Sequence, residues 1–310
     1  MIEVRNLTRY YGDFPALKDA SFRVEEGQIV GLLGLNGAGK STTLKILAGL
    51  LMPSSGTVTI DGIDFEHDAL ELRRRIGYLP EDPPLYVDMR VADFLRHIGR
   101  MKGLTASEVE TRLPQVLRIA QLEARAHQVI GTLSHGFRKR VGIAQAIIHD
   151  PRLVILDEPI SGLDPVQIVE MRKVIRNLAR GRAVLLSSHI LSEVEQTCDW
   201  LVVLRDGELV AQGTEAELVH EVVASRVRLT VRGAPSEVAA WLGAHAAVQT
   251  ASVERTEGDI ATFLVELTGD DRERLVSDLI AKGYGLRGLE AADDALEELF
   301  VGLTTRRAEA

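Results

Sequence analysis

The sequence predicts an α/β protein: buried parallel strands joined by helices, interrupted by a helical insert and followed by a small α+β domain. Three observations carry that reading. The apolar runs Gln28–Leu33 and Arg152–Leu156 lead into a glycine and into two carboxylates, and strands buried on both faces of a parallel sheet read as such continuous runs. Residues from Glu81 to about Ile148 change to helical spacing, and the last third reads strand, helix, strand, strand, helix, strand. At 310 residues the chain exceeds the usual single-core size, so two domains are expected, 1–221 and 222–310.

Residues 1 to about 80 read as strands plus one helix. Gln28-Ile29-Val30-Gly31-Leu32-Leu33 is a buried strand, Ser41–Leu50 has helical spacing, and between them stands Gly34-Leu35-Asn36-Gly37-Ala38-Gly39-Lys40-Ser41. Its glycines let successive backbone N–H groups turn inward, an anion nest at a helix start. Lys40 is placed to reach the β- and γ-phosphates of a nucleotide, and the Ser41 hydroxyl, followed by Thr42, to hold Mg²⁺. Such a run arises by chance in a chain this long with a probability on the order of one per cent. Its strand–loop–helix context makes it a P-loop. Asp61-Gly62 then marks a hairpin turn after Thr57–Ile60.

Further along, Thr132-Leu133-Ser134-His135-Gly136 places Ser134 as the N-cap of a helix that continues through Val141–Ile148. That helix start offers free N–H groups and a positive dipole end to an anion. Arg152-Leu153-Val154-Ile155-Leu156-Asp157-Glu158-Pro159 reads as a central strand delivering two carboxylates to a ligand crevice. Asp157 suits Mg²⁺ held through water, and Glu158 suits polarising a water toward the γ-phosphate. Ala183–Leu186 is another buried strand, with His189 just beyond its carboxyl end. Asp206-Gly207 turns a second hairpin, and a short Thr214-capped helix closes the first domain.

Taken in order, these segments resemble the ABC-type ATPases. Leu133-Ser134-His135-Gly136-Phe137 before Arg138-Lys139-Arg140 looks like the family signature, Ser161-Gly162-Leu163-Asp164 like the D-loop, and Ser188-His189 like the switch histidine. Tyr11 is similar to the aromatic that stacks on adenine, although Tyr10 is an equally aromatic neighbour. The resemblance implies a P-loop NTPase core that binds ATP with Mg²⁺. It also implies a dimer in which Ser134, Gly136 and Asp164 meet ATP held by a second subunit, either a copy of this chain or a paralogous ATPase. Two departures stand out. Glu81 occupies a position where the family usually has glutamine, which keeps an oxygen ligand for Mg²⁺ but adds charge and loses the amide donors. His135 and Phe137 replace the usual glycine and glutamine of the signature. The insert at about 81–148 is where the family's membrane subunit docks, and Leu85, Tyr86, Met89 and Phe94 are either groove residues or core of the insert.

In the last third, Arg226–Val231, Ala251–Glu254, Ala261–Leu267 and Leu286–Leu289 read as strands, and Pro235–Leu242 and Asp271–Ala281 as helices. That order suggests a ferredoxin-like domain, followed by a helix through Leu296, Leu299 and Phe300. The ending Leu296–Thr304 resembles ATPase subunits of ABC-2 type exporters. For this domain, dimerisation or docking stands beside regulatory binding.

Composition narrows the partners. The formal net charge is -9 with no dense basic or aromatic-interleaved stripe, which argues against nucleic acid. Cys198 is the only cysteine, as a reducing compartment allows. Neither a signal core nor a membrane-length apolar run is present. Transport is therefore expected to need a membrane-spanning permease, with this chain peripheral on the cytoplasmic face. A soluble ABC ATPase acting on DNA or ribosomes is the weaker alternative, because one phosphate loop and no sustained heptads are seen. A low-turnover nucleotide-gated scaffold, suggested by Glu81 and the altered signature, is the other.

Overall fold

The computed structural model describes residues 2–218, 226–269 and 271–291. The chain divides into two compact units, Met1–Gly213 and Thr214–Ala310.

The first unit is built on a ten-stranded sheet. Its antiparallel arm comprises β1 (Ile2–Tyr11), β2 (Phe14–Val24), β4 (Ser55–Ile60) and β5 (Ile63–Asp64). The central part comprises β3 (Ile29–Leu33), β6 (Ile76–Leu79), β7 (Leu153–Leu156), β8 (Ala183–Ser188), β9 (Trp200–Arg205) and β10 (Glu208–Gly213). The spatial order is β5-β4-β1-β2-β10-β9-β3-β8-β7-β6. β3 runs parallel to both β8 and β9, and β7 parallel to both β6 and β8. Every residue of β3, β7 and β8 is buried, which explains their unbroken apolar runs. All three therefore deliver their carboxyl ends to the same edge of the sheet.

Seven helices accompany this sheet among the described residues: α1 (Lys40–Leu47), α2 (Phe65–Arg74), α3 (Val91–Met101), α4 (Ala106–Ile119), α5 (His135–Ile147), α6 (Pro165–Leu178) and α7 (Leu191–Glu195). One core cluster gathers α1, the antiparallel arm and one face of the sheet, and another gathers the insert, α5, α6 and the opposite face.

Two expectations need correction. Reading residues 1–80 as strands plus one helix misses α2, because Asp68 takes non-helical angles and breaks the helix into pieces too short to show a period. Leu72 of that helix is fully buried against the sheet. Phe94 is not a groove residue: it is wholly buried in the core of the insert, with Tyr86 edge-on at 5.8 Å. Leu85 and Met89 also pack on that core, whereas Tyr86 is half exposed.

The second unit begins with Thr214, whose hydroxyl accepts from the Glu217 N–H while the Glu217 carboxylate accepts from the Thr214 N–H, a reciprocal helix cap. Then follow β11 (Arg226–Arg232), α8 (Pro235–Ala244), β12 (Val248–Glu257), β13 (Ile260–Leu267), α9 (Arg272–Ala281) and β14 (Gly285–Ala291). The sheet is antiparallel in the order β12-β13-β11-β14. β13 alternates half-buried and buried along its whole length, so Ala261, Phe263, Val265 and Leu267 face a core shared with Leu242, Leu275 and Leu279. The helix expected through Leu296, Leu299 and Phe300 lies outside the described residues.

Candidate nucleotide site

The phosphate loop leaves β3 at Leu33 and enters α1 at Lys40. It is pressed against its neighbours. A Cβ on Gly34 would stand 2.6 Å from the Leu204 carbonyl oxygen, and one on Gly39 2.6 Å from that of Ala16. Gly39 also has φ +102°, which an L side chain rarely adopts. Ala38 is buried at the back of the loop. The Lys40 ammonium donates to the carbonyls of Gly34 (2.6 Å) and Leu35 (3.3 Å). Burial pushes its pKa down, while the charges of Glu158, Asp157 and Glu81 support the ammonium form.

Opposite the loop, the β7 strand ends in Asp157 and Glu158, both buried. Glu158 has φ +47°, unusual for a residue with a side chain. Its N–H donates to Ser187 Oγ (2.9 Å), and the Ser187 hydroxyl donates to Asp157 Oδ1 (2.7 Å). Its carbonyl accepts from Lys139 Nζ (2.7 Å). Backbone held at both ends turns the carboxylate so that Oε1 lies 3.9 Å from Lys40 Nζ and Oε2 3.1 Å from His189 Nδ1. The Tyr78 pKa is pushed up to about 12, by burial first and then by the charge of Asp157.

A cleft of about 390 Å³ collects most of the expected residues. Tyr11, Asn36, Gly37, Gly39, Lys40, Ser41, Thr42, Glu81, Glu158 and His189 line it. Tyr10 does not, and the Arg9 guanidinium lies over the Tyr11 ring at 5.0 Å from its centroid. Ser134, Gly136 and Asp164 are not among the lining residues. Ser134 and Asp164 instead cap α5 and α6, accepting from the N–H groups of Phe137 (3.5 Å) and Gln167 (2.9 Å). A Cβ on Gly136 would stand 2.5 Å from Gln167 Oε1, so a side chain there would have to displace the end of that glutamine. The guanidinium groups of Arg125 and Arg140 lie over the Phe137 ring at 5.0 and 5.1 Å from its centroid.

Sequence reasoning missed Ser187, Tyr78 and Lys139. Ser187 hides in a strand buried throughout. Lys139 sits in the basic run Arg138-Lys139-Arg140, which reads as a solvated face, yet it is 3% exposed. Its one legible signal is helical phase. Gly136, three residues before Lys139, and Ile143, four after it, are buried on the same face of α5.

A parallel sheet with a P-loop at one strand end, two carboxylates at another and a histidine beside them defines a nucleotide-hydrolysing fold. The ABC transporter family profile matches residues 17–161. The chain is 36% identical over 301 residues to the uncharacterized ABC transporter ATP-binding protein YxlF of Bacillus subtilis (strain 168), covering 97% of this chain and 98% of that protein. It is 38% identical over 246 residues to the Nod factor export ATP-binding protein I of Rhizobium meliloti (strain 1021), covering 79% of this chain and 73% of that protein. The dimeric structure of MJ0796, a bacterial ABC transporter cassette, is similar with a TM-score of 0.61 and 28% identity, over 69% of this chain and 98% of that one. The chain belongs to the ABC transporter family, as an ATP-binding subunit with ATPase chemistry.

Proposed function

We propose that this subunit hydrolyses ATP within a dimer and drives a separate membrane-spanning exporter from the cytoplasmic face of the membrane. The observation that carries the proposal is the Glu158 carboxylate, held between Lys40 and His189 at the rim of the phosphate loop. Amides of the loop from Gly34 through Asn36, Gly37, Ala38 and Gly39 cradle the phosphates with Lys40 and Thr42, and Tyr11 stacks on the adenine. Glu158 takes the proton of the attacking water, and His189 orients that water against the γ-phosphate. Ser134, Gly136 and Asp164 complete the site of a second copy or a paralogous subunit, which accounts for their position away from the chain's own cleft.

Mg²⁺ fits the donor set, since Ser41, Glu81 and Asp157 offer a hydroxyl and two carboxylates, the hard oxygens this cation prefers. When bound there it neutralises charge on the phosphates. Export is supported by the Nod factor export relative and dimerisation by the dimeric cassette. Among the described residues no helix is long and apolar enough to cross a membrane, so a permease supplies the path. We assign 1–221 to the ATPase domain, with the insert at 81–148, and 222–310 to a ferredoxin-like accessory domain. Its support is the β-α-β-β-α-β order and the sheet order β12-β13-β11-β14.

Two variants test the site. Lys40→Ala should lose most ATP affinity, whereas Glu158→Gln should bind ATP normally and lose turnover by roughly 100-fold or more. Turnover near the unmutated rate in Glu158→Gln would remove Glu158 from its role.

A further inference from the structure

Phe14 lines the nucleotide cleft, although no motif in the sequence marks it. It is the first residue of β2 and the register partner of Tyr11, the last residue of β1. The hairpin therefore sets two aromatic residues side by side at the cleft. Ala16, two residues further along β2, lines the cleft too, and a Cβ on Gly39 of the phosphate loop would stand 2.6 Å from its carbonyl oxygen. At about 3.4 Å per residue, Phe14 stands roughly 7 Å along the strand from that meeting point, which leaves the length of a sugar between loop and ring.

The Phe14 ring is 64% exposed, and among the described residues no other ring or cation lies over it. Tyr11 differs, because the Arg9 guanidinium already covers one face of its ring. Tyr11 alone thus offers a base a single aromatic face. An exposed phenyl ring leaves apolar surface in water, and a flat ligand laid against it removes that surface.

We infer that Phe14 is a second base-binding residue, its ring supplying an aromatic surface beside that of Tyr11 for the nucleobase of a bound triphosphate. The phenyl ring has no hydrogen-bonding atom, so it meets the base by stacking and contributes nothing to phosphate binding. The inference rests on reading this cleft as the nucleotide site and adds to that reading a residue of β2 that holds the base.

Titration calorimetry on the full chain tests it with two probes. Adenylyl imidodiphosphate, a hydrolysis-resistant ATP analogue, carries a base, and inorganic tripolyphosphate does not. Phe14→Ala should weaken the nucleotide roughly tenfold, because base–aromatic stacking is lost, while tripolyphosphate affinity stays within about twofold. Phe14→Tyr keeps the ring and should hold nucleotide affinity within about twofold. Because Phe14 is exposed, both variants should fold. Nucleotide affinity in Phe14→Ala within about twofold of the unmutated chain overturns the inference, as does a loss in Phe14→Tyr equal to that in Phe14→Ala. An equal loss for tripolyphosphate also overturns it, since the change then acts through Ala16 on the loop. Two controls separate the levels. A Lys40→Ala chain that binds both probes normally refutes the cleft as the nucleotide site, whereas weakened nucleotide binding in Tyr11→Ala beside none in Phe14→Ala refutes Phe14 alone.

Discussion

Replacing Ser187 by alanine should damage both stability and turnover, although Ser187 touches no substrate. Its hydroxyl is fully buried and serves two neighbours, accepting from the Glu158 N–H at 2.9 Å and donating to Asp157 Oδ1 at 2.7 Å. A hydrogen bond to a charged group contributes about 1.5–3 kcal/mol, and a buried N–H left without a partner costs about 1–3 kcal/mol. Alanine removes only one oxygen, so packing changes little, and the combined loss is about 2.5–6 kcal/mol. The two carboxylates lose their common anchor, so kcat should fall roughly 10- to 100-fold while ATP affinity stays within about threefold. Urea unfolding checks the first figure. The two tryptophans, Trp200 in β9 and Trp241 in α8, lie in different units, so a Trp241→Phe background reports on the first unit alone. A loss below about 0.5 kcal/mol with unchanged kcat would refute the reasoning.

Two further outcomes are expected. His149 pairs through Nε2 with the Ile76 carbonyl oxygen, and burial first, then the charges of Lys102 and Arg112, push its pKa down to about 4. The unfolded chain takes up this proton first, so the contribution is complete above about pH 6.5 and falls toward pH 4, by at most ~3 kcal/mol. His149→Gln should flatten that acid-side slope in urea midpoints taken at about pH 7 and pH 5, and an unchanged slope would count against it. A chain ending at residue 221 should fold and keep ATP affinity within about twofold, because every phosphate-loop and acid residue lies in the first unit. Loss of ATP binding on truncation would show that the two units are not independent.

The phosphate loop was legible because its chemistry is local: glycines, a lysine and a hydroxyl act where they stand in the chain. The strand ends were legible for a similar reason, since buried parallel strands announce themselves as apolar runs and their ends carry the acids and His189. What was not legible depends on pairing across the sheet. Ser187 meets Asp157 and Glu158 only because β8 lies beside β7, and Lys139 reaches Glu158 only because α5 packs against that sheet edge. Phe94 shows the opposite failure, where an apolar residue on an amphipathic helix could face a groove or a core until the packing was known.

The strained backbone at Glu158 joins elements that the chain keeps far apart. A residue with φ +47° costs about 1–3 kcal/mol, and it persists only where its neighbours offset that cost. Here the enforcement comes from Ser187 on β8 and Lys139 on α5, one at the N–H and one at the carbonyl. The carboxylate direction is therefore sensitive to any shift of α5 relative to β8. Because α5 starts at the Ser134 cap, a partner that engages that cap acts on the same helix that holds the Glu158 carbonyl. Turnover should accordingly respond to engagement of the α5 N-terminus through Lys139, and a Lys139→Gln chain should lose that response even where ATP still binds.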